Sequence, residues 1–533
     1  MKTVIKSILI LCTVGLFLSA CDLERDPYNA INTERAFETM EDARFHRNGL
    51  LSQLRSRQHG VFVHTAEWMT DLFIATPDFG NRGGSPHRLN ELLIDTHEPR
   101  DIWRNTYSSI AQVNNFIARI NQVELTSATD SALIANWIAE AHYIRAYMYY
   151  ILIKYFGVAY DPATANSKPG VPLITVYDPA YRPARASVGE IYHFIMSEIA
   201  LAENLTVSGP TTDAQRETIT IDAVKALKSR VQLMMSDYAG AAATAMELIN
   251  SGRHPLIATE AGLRNNWAQD TGSEDIFRMF VSAVEFGVAL GGTGNPANAE
   301  QNMAPFMNWI PGNRAHSPDW LPSQRAMDLY EAGDFRRTAF FHFGTTTPFD
   351  DSTPTNSSVF VNSIRSTNVY MLNKWPFSGM YGGNHRHKPK VHRIAEQYLI
   401  AAESLAGLGN TSEALAVLNT LRTARGASAF PAWDDQELRN EWAREMIGEG
   451  VYLAHMKRWS IGFDRRVPQM PTRADGNPAG AVPRAYVADW ALDVFVPGGC
   501  FRLTLPIPMN ELNLNPNIQQ TPEWINPQIP QRP

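Results

Sequence analysis

The stretch from Asn136 to Phe156, NWIAEAHYIRAYMYYILIKYF, determines the predicted fold class. Its apolar side chains recur at steps of three and four residues, which places them on one face of an α-helix. They are Trp137, Ala141, Ile144, Met148, Ile151 and Tyr155. Tyr143, Tyr147 and Tyr150 form a second stripe beside this face. A helix that is apolar on two sides packs between neighbours. The sequence therefore predicts a mainly α protein in which this helix is sandwiched.

Two other segments have the pattern of paired helices. In the first, the apolar positions fall on either side of a break at Asp237. They are Val224, Leu227, Val231, Met234, Tyr238, Ala242, Ala245 and Ile249. In the second, the break is GLGN at 407–410, and the apolar positions are Ile394, Tyr398, Ala401, Leu405, Ala414, Leu418 and Leu421. Each unit takes about 34 residues, the tetratricopeptide period. We therefore expect a tetratricopeptide-like α-solenoid of several helix pairs.

Two more signals extend the helical pattern. Ser187 and Glu190 are spaced as a capping box at the start of another helix. The stretch from Leu438 to Trp459 predicts either a further helix pair or one long helix. The predicted helical regions are 41–252 and 390–467.

The region 253–389 has a different character, because Gly, Pro, Asn and Thr are dense and no helical period lasts more than a few turns. It is also rich in aromatic residues, including Trp267, Trp309, Trp320 and Trp375. A long irregular segment of this kind is typical of a functional surface. We therefore predict a large irregular, loop-rich insertion that binds ligand. The region 468–533 is also rich in Pro, and we predict that it wraps the outside of the solenoid.

The first twenty residues have the pattern of a signal peptide. Lys2 and Lys6 precede an apolar run at 8–18, which is too short to span a bilayer, and small residues follow it. LSAC at 18–21 also matches the lipobox of bacterial lipoproteins, in which the cysteine carries a diacylglycerol. We therefore expect lipidation of Cys21, a lipidated tether at 21–40 and membrane attachment through this anchor. The alternative is an ordinary signal peptide followed by a chance cysteine.

Composition excludes some function classes. Loss of Lys2 and Lys6 with the signal peptide would change the net charge from −7 to −9, and no long basic run is present. Nucleic-acid binding therefore has no electrostatic support. Cys12 would leave with the signal peptide and Cys21 would be lipidated, so Cys500 would have no internal disulfide partner.

Several motifs, in their order along the chain, resemble the SusD/RagB family of surface-exposed outer-membrane lipoproteins. The resemblance covers nearly all of the chain after the signal peptide. The motifs are AEAHYIRAYMYYILIKYFG at 139–157, GVPLI at 170–174, SVGEIYHFIMSEIALAENL at 187–205, ITIDAVKALKSRVQL at 219–233, HRIAEQYLIAAESLAGLGNTSEALAVLNTLRTARG at 392–426 and LPIPMNELNLNPNIQQTPEW at 505–524. One element departs from the family pattern. In EGVYLAHMKRW at 449–459, Tyr452 and His455 stand where the family commonly has Arg and Asp. We expect different helix packing there.

The resemblance implies a protein that captures nutrients and has no catalytic activity. Family members trap an oligosaccharide, or in some cases a peptide, and deliver it to a SusC-like TonB-dependent outer-membrane transporter. Asp22, Glu24 and Asp26 follow the predicted lipidation site, and they fit the acidic signal that directs such lipoproteins to the cell surface. The resemblance therefore implies a transporter partner, a glycan ligand and a place on the outer membrane.

Sugar-binding proteins use aromatic platforms flanked by polar side chains that hydrogen-bond the hydroxyls. By region, the resemblance indicates the loop at 76–84 and the stretch at 309–320, with candidates in 375–381. The candidate ligand-binding residues are Asp78, Asn81, Arg82, Trp309, Trp320, Trp375 and Tyr381. Each Trp could instead be a partly buried core aromatic, and the polar residues could belong to a solvated turn.

Other functions have weaker support. No carboxylate pair is distinguished as that of a glycoside hydrolase, and motifs of hydrolases, metalloproteases and phosphate-binding loops are absent from the sequence. His385, His387 and His392 could hold a metal, but Lys and Arg surround them and disfavour a cation. The GDFRR stretch at 333–337 matches a structural element of the family. We therefore predict no enzyme activity, metal or cofactor. A lipid-anchored tetratricopeptide scaffold for other proteins is the alternative from a different class.

Overall fold

The structure is a computed structural model that describes residues 36–75, 83–89, 91–281, 307–308, 320–344, 369–376, 387–465 and 494–525. The helices of these ranges are α1 (Met40–Ser56), α2 (Val61–Trp68), α3 (Gly84–Arg88), α4 (His97–Arg119), α5 (Ala128–Phe156), α6 (Val188–Ala202), α7 (Ile221–Met234), α8 (Tyr238–Asn250), α9 (Glu260–Ala268), α10 (Gln324–Asp328), α11 (Arg336–Ala339), α12 (Ile394–Gly407), α13 (Thr411–Ala424), α14 (Asp435–Met446), α15 (Tyr452–Trp459), α16 (Met509–Leu514) and α17 (Pro522–Ile525). None of them is long and apolar enough to cross a membrane.

Helix α5 is the predicted sandwiched helix. It begins at Ala128, eight residues before the predicted start, because Ser127 caps it by accepting a hydrogen bond from the backbone N–H of Asp130. Between Ala139 and Phe156 almost every side chain is buried. Helices α4 and α6 pack on either side of it. Arg145 of α5 binds Glu198 of α6 through two hydrogen bonds of 2.7 and 2.8 Å.

The two predicted helix pairs are confirmed. They are α7 with α8, and α12 with α13, and α8 packs against α12 so that the pairs stack. Polar contacts join α7 to α12 inside the stack. Arg230 donates to both carboxylate oxygens of Glu396 at 2.6 and 2.7 Å, and Ser229 donates to Gln397 at 2.6 Å. The mainly helical, tetratricopeptide-like fold class is therefore confirmed. The capping box of Ser187 and Glu190 is also present at the start of α6.

The stretch from Leu438 to Trp459 forms a helix pair, not one long helix. Between α14 and α15, Gly448 and Gly450 have φ values of +81° and +70°, which L-amino acids with side chains rarely adopt. At the position that departs from the family pattern, the ring of His455 stacks on Trp442 with centroids 3.8 Å apart. Aromatic packing of His455 therefore takes part in the helix contacts at this position, where the sequence predicts packing that differs from the family pattern.

The predicted irregular insertion at 253–389 also contains short regular elements. Its described part contains the short helices α9, α10 and α11 and several strands. The strands of the described chain are β1 (Phe73–Ala75), β2 (Pro169–Pro172), β3 (Arg185–Ser187), β4 (Asp275–Arg278), β5 (Trp320–Pro322), β6 (Phe341–Gly344), β7 (Val369–Leu372), β8 (Lys390–Arg393), β9 (Phe463–Asp464) and β10 (Phe495–Val496). Elements of two to nine residues are too short to give a clear period in the sequence. The boundaries of the predicted regions stay predictions.

The strands form antiparallel two-stranded sheets that connect distant parts of the chain. β1 pairs with β5, β4 with β8, and β6 with β7. Two other pairs are β2 with β3 and β9 with β10. Because β4 lies inside the insertion and β8 leads directly into α12, the insertion is tied to the stacked helix pairs.

Residues 494–525, which we call the C-terminal strap, lie against the helices as predicted. The backbone N–H of Leu505 donates to the carbonyl of Tyr155 near the end of α5 at 2.7 Å, and Leu505 itself is buried. Trp524 donates its indole N–H to the carbonyl of Thr504 at 2.9 Å. Cys500, the one cysteine in the described ranges, is a half-buried free thiol, and burial raises its pKa.

Candidate functional site

The sheet of β1 and β5 connects two of the predicted ligand-binding segments. In this antiparallel pair, Ala75 lies opposite Trp320. Ala75 is the last residue before 76–82, and Trp320 is the first residue after 309–319. The end of β1 and the start of β5 therefore bring the bases of these two segments to one place.

A third segment, 377–386, contains the predicted candidate Tyr381 and is bounded by residues that contact one another. His387, which follows it, has Nε2 2.7 Å from the carbonyl oxygen of Pro376, which precedes it. Asn308 lies beside the same place, because its side-chain amide donates to the carbonyl of Trp375 at 2.8 Å. Leu321 of β5 and Met371 of β7 are both buried and pack together, so this place adjoins the sheet of β1 and β5.

Arg465 anchors a fourth segment, 466–493, at the same place. Its backbone N–H donates to the carbonyl of Val494 at 3.2 Å, so the residues on either side of the segment meet. Its guanidinium donates to the carbonyls of Trp68 at 2.9 Å and of Thr70 at 2.6 Å, and also to that of His87. Arg465 thus holds the end of α2, the turn before β1 and the end of α3 together.

We call this set of anchoring residues the loop platform. Its members are Trp68, His87, Asn308, Trp320, Trp375 and Arg465. Aromatic contacts make its centre rigid. Trp320 packs on Trp68 with ring centroids 5.3 Å apart and meets the edge of His87 at 4.6 Å.

The structure places two of the predicted ligand-contacting tryptophans inside the core. Trp320 is 0% exposed and Trp375 is 2% exposed. Trp375 packs edge-on against Trp267, with centroids 5.6 Å apart. Both indoles therefore support the loops in this arrangement, and their burial favours the alternative of a core aromatic over contact with a ligand. Trp320 belongs to a three-residue strand that is buried throughout, which explains why an aromatic beside an irregular stretch is not exposed.

The other predicted site residues lie outside the described ranges. They are Cys21, Asp78, Asn81, Arg82, Trp309 and Tyr381. Their lipid-anchoring and ligand-binding roles stay predictions.

Burial shifts the pKa values of the titratable groups around the loop platform. Desolvation lowers the pKa of the Arg465 guanidinium to about 9, while Asp71 opposes this shift. Desolvation also lowers the pKa of His87 well below its ordinary value, and the nearby positive charge of Arg465 adds to the effect. Glu67, one residue before Trp68, is fully buried, and desolvation raises the pKa of its carboxyl group to about 7. The platform is therefore an anchored structural base.

The described histidines that were candidate metal ligands each contact a different side chain in the structure. Nδ1 of His387 lies 3.1 Å from Asp270, whereas Nε2 of His392 lies 2.8 Å from the hydroxyl of Tyr143. His385 lies outside the described ranges. Among the described residues, no group of three or more His, Cys, Asp or Glu side chains is arranged to hold a metal ion.

A buried ionic network around Lys374 holds the part of the loop platform that contains Trp375. The Lys374 ammonium donates to the carbonyls of Glu445 at 2.9 Å and Ile447 at 3.1 Å, and to the carboxylate of Glu449 at 2.5 Å. Burial lowers the pKa of Lys374 to about 8, against the attraction of Glu449. Because Trp375 follows Lys374 directly, this network fixes the base of the segment that contains Tyr381.

Sequence reasoning missed the residues that hold the loops, above all Arg465, His87 and Glu67. Nothing in the local pattern around Arg465 distinguishes it from a surface arginine, because its partners are carbonyls about 400 residues away in the chain. The structural role predicted for GDFRR at 333–337 agrees with the packing of its arginine. Arg336 is fully buried and donates to Asp334 at 2.7 Å and to Glu441 at 2.6 Å.

Two family models match separate parts of the chain. A family model described as the SusD family matches residues 329–524. A second model, described as starch-binding associating with outer membrane, matches residues 32–233. Among curated relatives, SusD-like protein P2 of Formosa agariphila is 22% identical over 472 residues, which cover 85% of this chain and 88% of that protein.

Solved structures share the fold. A SusD superfamily protein from Bacteroides thetaiotaomicron is 24% identical with a TM-score of 0.72, and the match covers 91% of this chain and 100% of that one. A structure described as a laminarin binding SusD-like protein is 20% identical with a TM-score of 0.64, over 91% of this chain and 100% of that one. The family models, the curated relative and the fold agree, and the chain belongs to the SusD/RagB family.

Proposed function

We propose that this protein captures oligosaccharide or polysaccharide at the surface formed by the segments around the loop platform. The observation that carries the proposal is that the described residues flanking 76–82, 309–319, 377–386 and 466–493 meet at one anchored base. Three of these segments contain residues that the sequence predicted as ligand-binding. Binding residues of proteins are often found on loops that a rigid scaffold positions.

The comparisons support carbohydrate as the ligand class. One matching family model is described as starch-binding, and one protein of the same fold is described as laminarin binding. In our proposal, Trp309 and Tyr381 stack on the apolar faces of sugar rings, while Asp78, Asn81 and Arg82 hydrogen-bond the hydroxyls. The buried Trp320 and Trp375 would hold the segments that carry these residues.

Delivery to a transporter completes the proposal. The description of one matching model includes association with the outer membrane. We propose that the chain is anchored there through a lipid on Cys21, that it is exposed at the cell surface, and that it passes its glycan to a SusC-like TonB-dependent transporter. It would bind its ligand without catalysing a reaction on it.

A binding screen of the lipid-free chain from Asp22 to Pro533 tests the proposal. Neutral and acidic polysaccharides and peptide digests would be titrated while tryptophan fluorescence is followed, and hits would be confirmed by calorimetry. We expect saturable binding to one glycan class with no product after long incubation. The variants Trp309→Ala and Arg82→Ala should weaken binding at least about tenfold, a change of about 1.4 kcal/mol. Arg44→Ala, an exposed arginine on α1, serves as the control.

Other outcomes distinguish the alternatives. Binding to peptides alone would keep the family and replace the glycan. If no glycan or peptide in the panel binds and the chain specifically retains other proteins, the alternative of a tetratricopeptide scaffold would be favoured. Unchanged glycan binding by both loop variants would reject the proposed ligand residues.

A further inference from the structure

A cavity lies between α4, the loop after β2 and the C-terminal strap. Its volume is about 350 Å³, which falls within the usual range of small-molecule sites. We call it the strap cavity, and it shares no lining residue with the loop platform. The walls that matter here come from Trp103 and Arg104 of α4, Tyr181 and Arg182 of the loop, and Asn510 and Glu511 of the strap.

Hydrogen bonds from half-buried Tyr107 and from buried asparagines fix the loop wall of this cavity. The Tyr107 hydroxyl donates to the carbonyl of Pro172 at 2.8 Å, and the Asn114 amide donates to that of Ile174 at 3.0 Å. From the strap, Asn515 donates to the carbonyl of Pro183 at 3.0 Å. The cavity is therefore preformed, and a ligand would bind without the entropy cost of ordering its walls.

Aromatic rings line the cavity at two depths. Trp103 is 4% exposed and packs edge-on against Phe156, with centroids 4.9 Å apart, so it forms a fixed inner wall. Tyr181 is 44% exposed and lies at the mouth. Flat aromatic surfaces of this kind suit the C–H faces of sugar rings.

The charges at the cavity favour a carboxylate. Arg182 donates only to the main-chain carbonyls of Pro179 at 2.6 Å and Tyr181 at 3.2 Å, and no carboxylate of a described residue pairs with it. Arg104 is largely exposed and lies 3.9 Å from Asp101, whose closer partner is Arg100 at 3.0 Å. Planar guanidinium groups match carboxylates well and can bind them through two hydrogen bonds. These two positively charged groups line the cavity, although the chain as a whole has a net charge of −7.

We propose that the strap cavity binds a sugar unit that carries a carboxylate, such as a uronic acid residue of a glycan. The ring would lie against Tyr181 with Trp103 behind it, and the carboxylate would pair with Arg182 and Arg104. Glu511 and Asn510 would hydrogen-bond the hydroxyls. This proposal does not depend on ligand binding at the loop platform.

Methyl glycosides of glucuronic and galacturonic acid, compared with their methyl esters, test the proposal because esterification removes the charge and leaves the sugar ring and its hydroxyls unchanged. Binding to the lipid-free chain would be measured at millimolar concentration by ligand-observed NMR. We expect at least one acid to bind about tenfold more tightly than its ester. Arg182→Ala and Tyr181→Ala should each remove most of this binding. Arg264→Ala, an exposed arginine paired with Glu260, should not change it.

Three results would overturn the proposal: no binding of either acid, equal binding of acid and ester, or unchanged binding in Arg182→Ala. Trp309→Ala separates the two sites. If Trp309→Ala removes uronate binding and Arg182→Ala does not, the uronate binds near the loop platform, and glycan capture there would stand while the strap-cavity proposal fails.

Discussion

Gly83 shows how one residue sets the base of a predicted ligand loop. It follows the segment 76–82 directly, has a φ of +68°, and lies against the indole of Trp68. A Cβ atom at this position would come within 2.3 Å of Cε3 of Trp68. Because the Trp68 indole is packed within the loop platform, only a residue without a Cβ atom fits at position 83.

We predict that Gly83→Ala lowers the melting temperature of the protein and weakens glycan binding. The backbone strain and the clash together should cost about 2–4 kcal/mol. Gly252→Ala is the matched control, because Gly252 has a φ of +66° and a Cβ atom there would meet no other atom within 4 Å. Scanning calorimetry of both variants separates the clash from the strain. Equal losses in the two variants would contradict the packing of Gly83 on Trp68.

Glu67 makes stability depend on pH through its burial. Its carboxyl oxygen accepts a hydrogen bond of 2.7 Å from the backbone N–H of Gly450, and desolvation raises its pKa from 4.5 to about 7. Between these pH values the folded chain holds a proton that the unfolded chain has lost. Raising the pH through this window therefore favours the unfolded state, and the free energy of unfolding falls.

We predict that Glu67→Gln removes this loss, because glutamine keeps the accepting oxygen and carries no charge. The variant and the original chain should have similar stability near pH 5. At pH 8 the variant should be more stable by roughly 1–3 kcal/mol. Urea unfolding at several pH values measures the difference between the two chains, which isolates Glu67 from other titrating groups. A difference that stays constant with pH would contradict the raised pKa.

At the scale of elements, long periodic helices could be predicted and short ones could not. The pairs α7 with α8 and α12 with α13 were predicted because each helix has at least three apolar turns on one face. The start of α5 was misplaced because it depends on a cap at Ser127 and not on apolar spacing. The strands β1 and β5 have three residues each, and their pairing across about 250 residues leaves no local signal.

Glu445 links several elements through buried ion pairs with arginines. It accepts hydrogen bonds from Arg336 at 3.0 Å, Arg393 at 2.9 Å and Arg425 at 3.0 Å. These arginines come from α11, the end of β8 and the chain after α13. All four side chains are buried, and the arginines hold the pKa of Glu445 well below its ordinary value, against desolvation.

We predict that Glu445→Gln destabilises the protein strongly, because it leaves buried guanidinium groups with too little negative charge. The loss should be about 3–5 kcal/mol. Glu41→Gln is the matched control, since Glu41 pairs with Arg44 on the exposed face of α1 and should contribute less than about 1 kcal/mol. Denaturant unfolding measures both variants. A loss in Glu445→Gln as small as that in the control would contradict the network.

At the scale of the whole molecule, the sequence predicted the fold class, but not which side chains of the candidate site are buried. The aromatic content of 253–389 led to the prediction that this region binds ligand, which stays a prediction. It did not separate tryptophans that build the base, such as Trp320 and Trp375, from residues that could face a ligand. Burial of an indole depends on partners such as Trp68 and Trp267, which lie far away in the sequence.

Hydrogen exchange of the lipid-free chain, with and without the glycan found in the screen, measures where the glycan binds. We expect the glycan to slow exchange in 76–82, 309–319 and 377–386, while α8 and α13 exchange as before. Protection confined to the stacked helix pairs, with those three segments unaffected, would contradict capture at the loop platform.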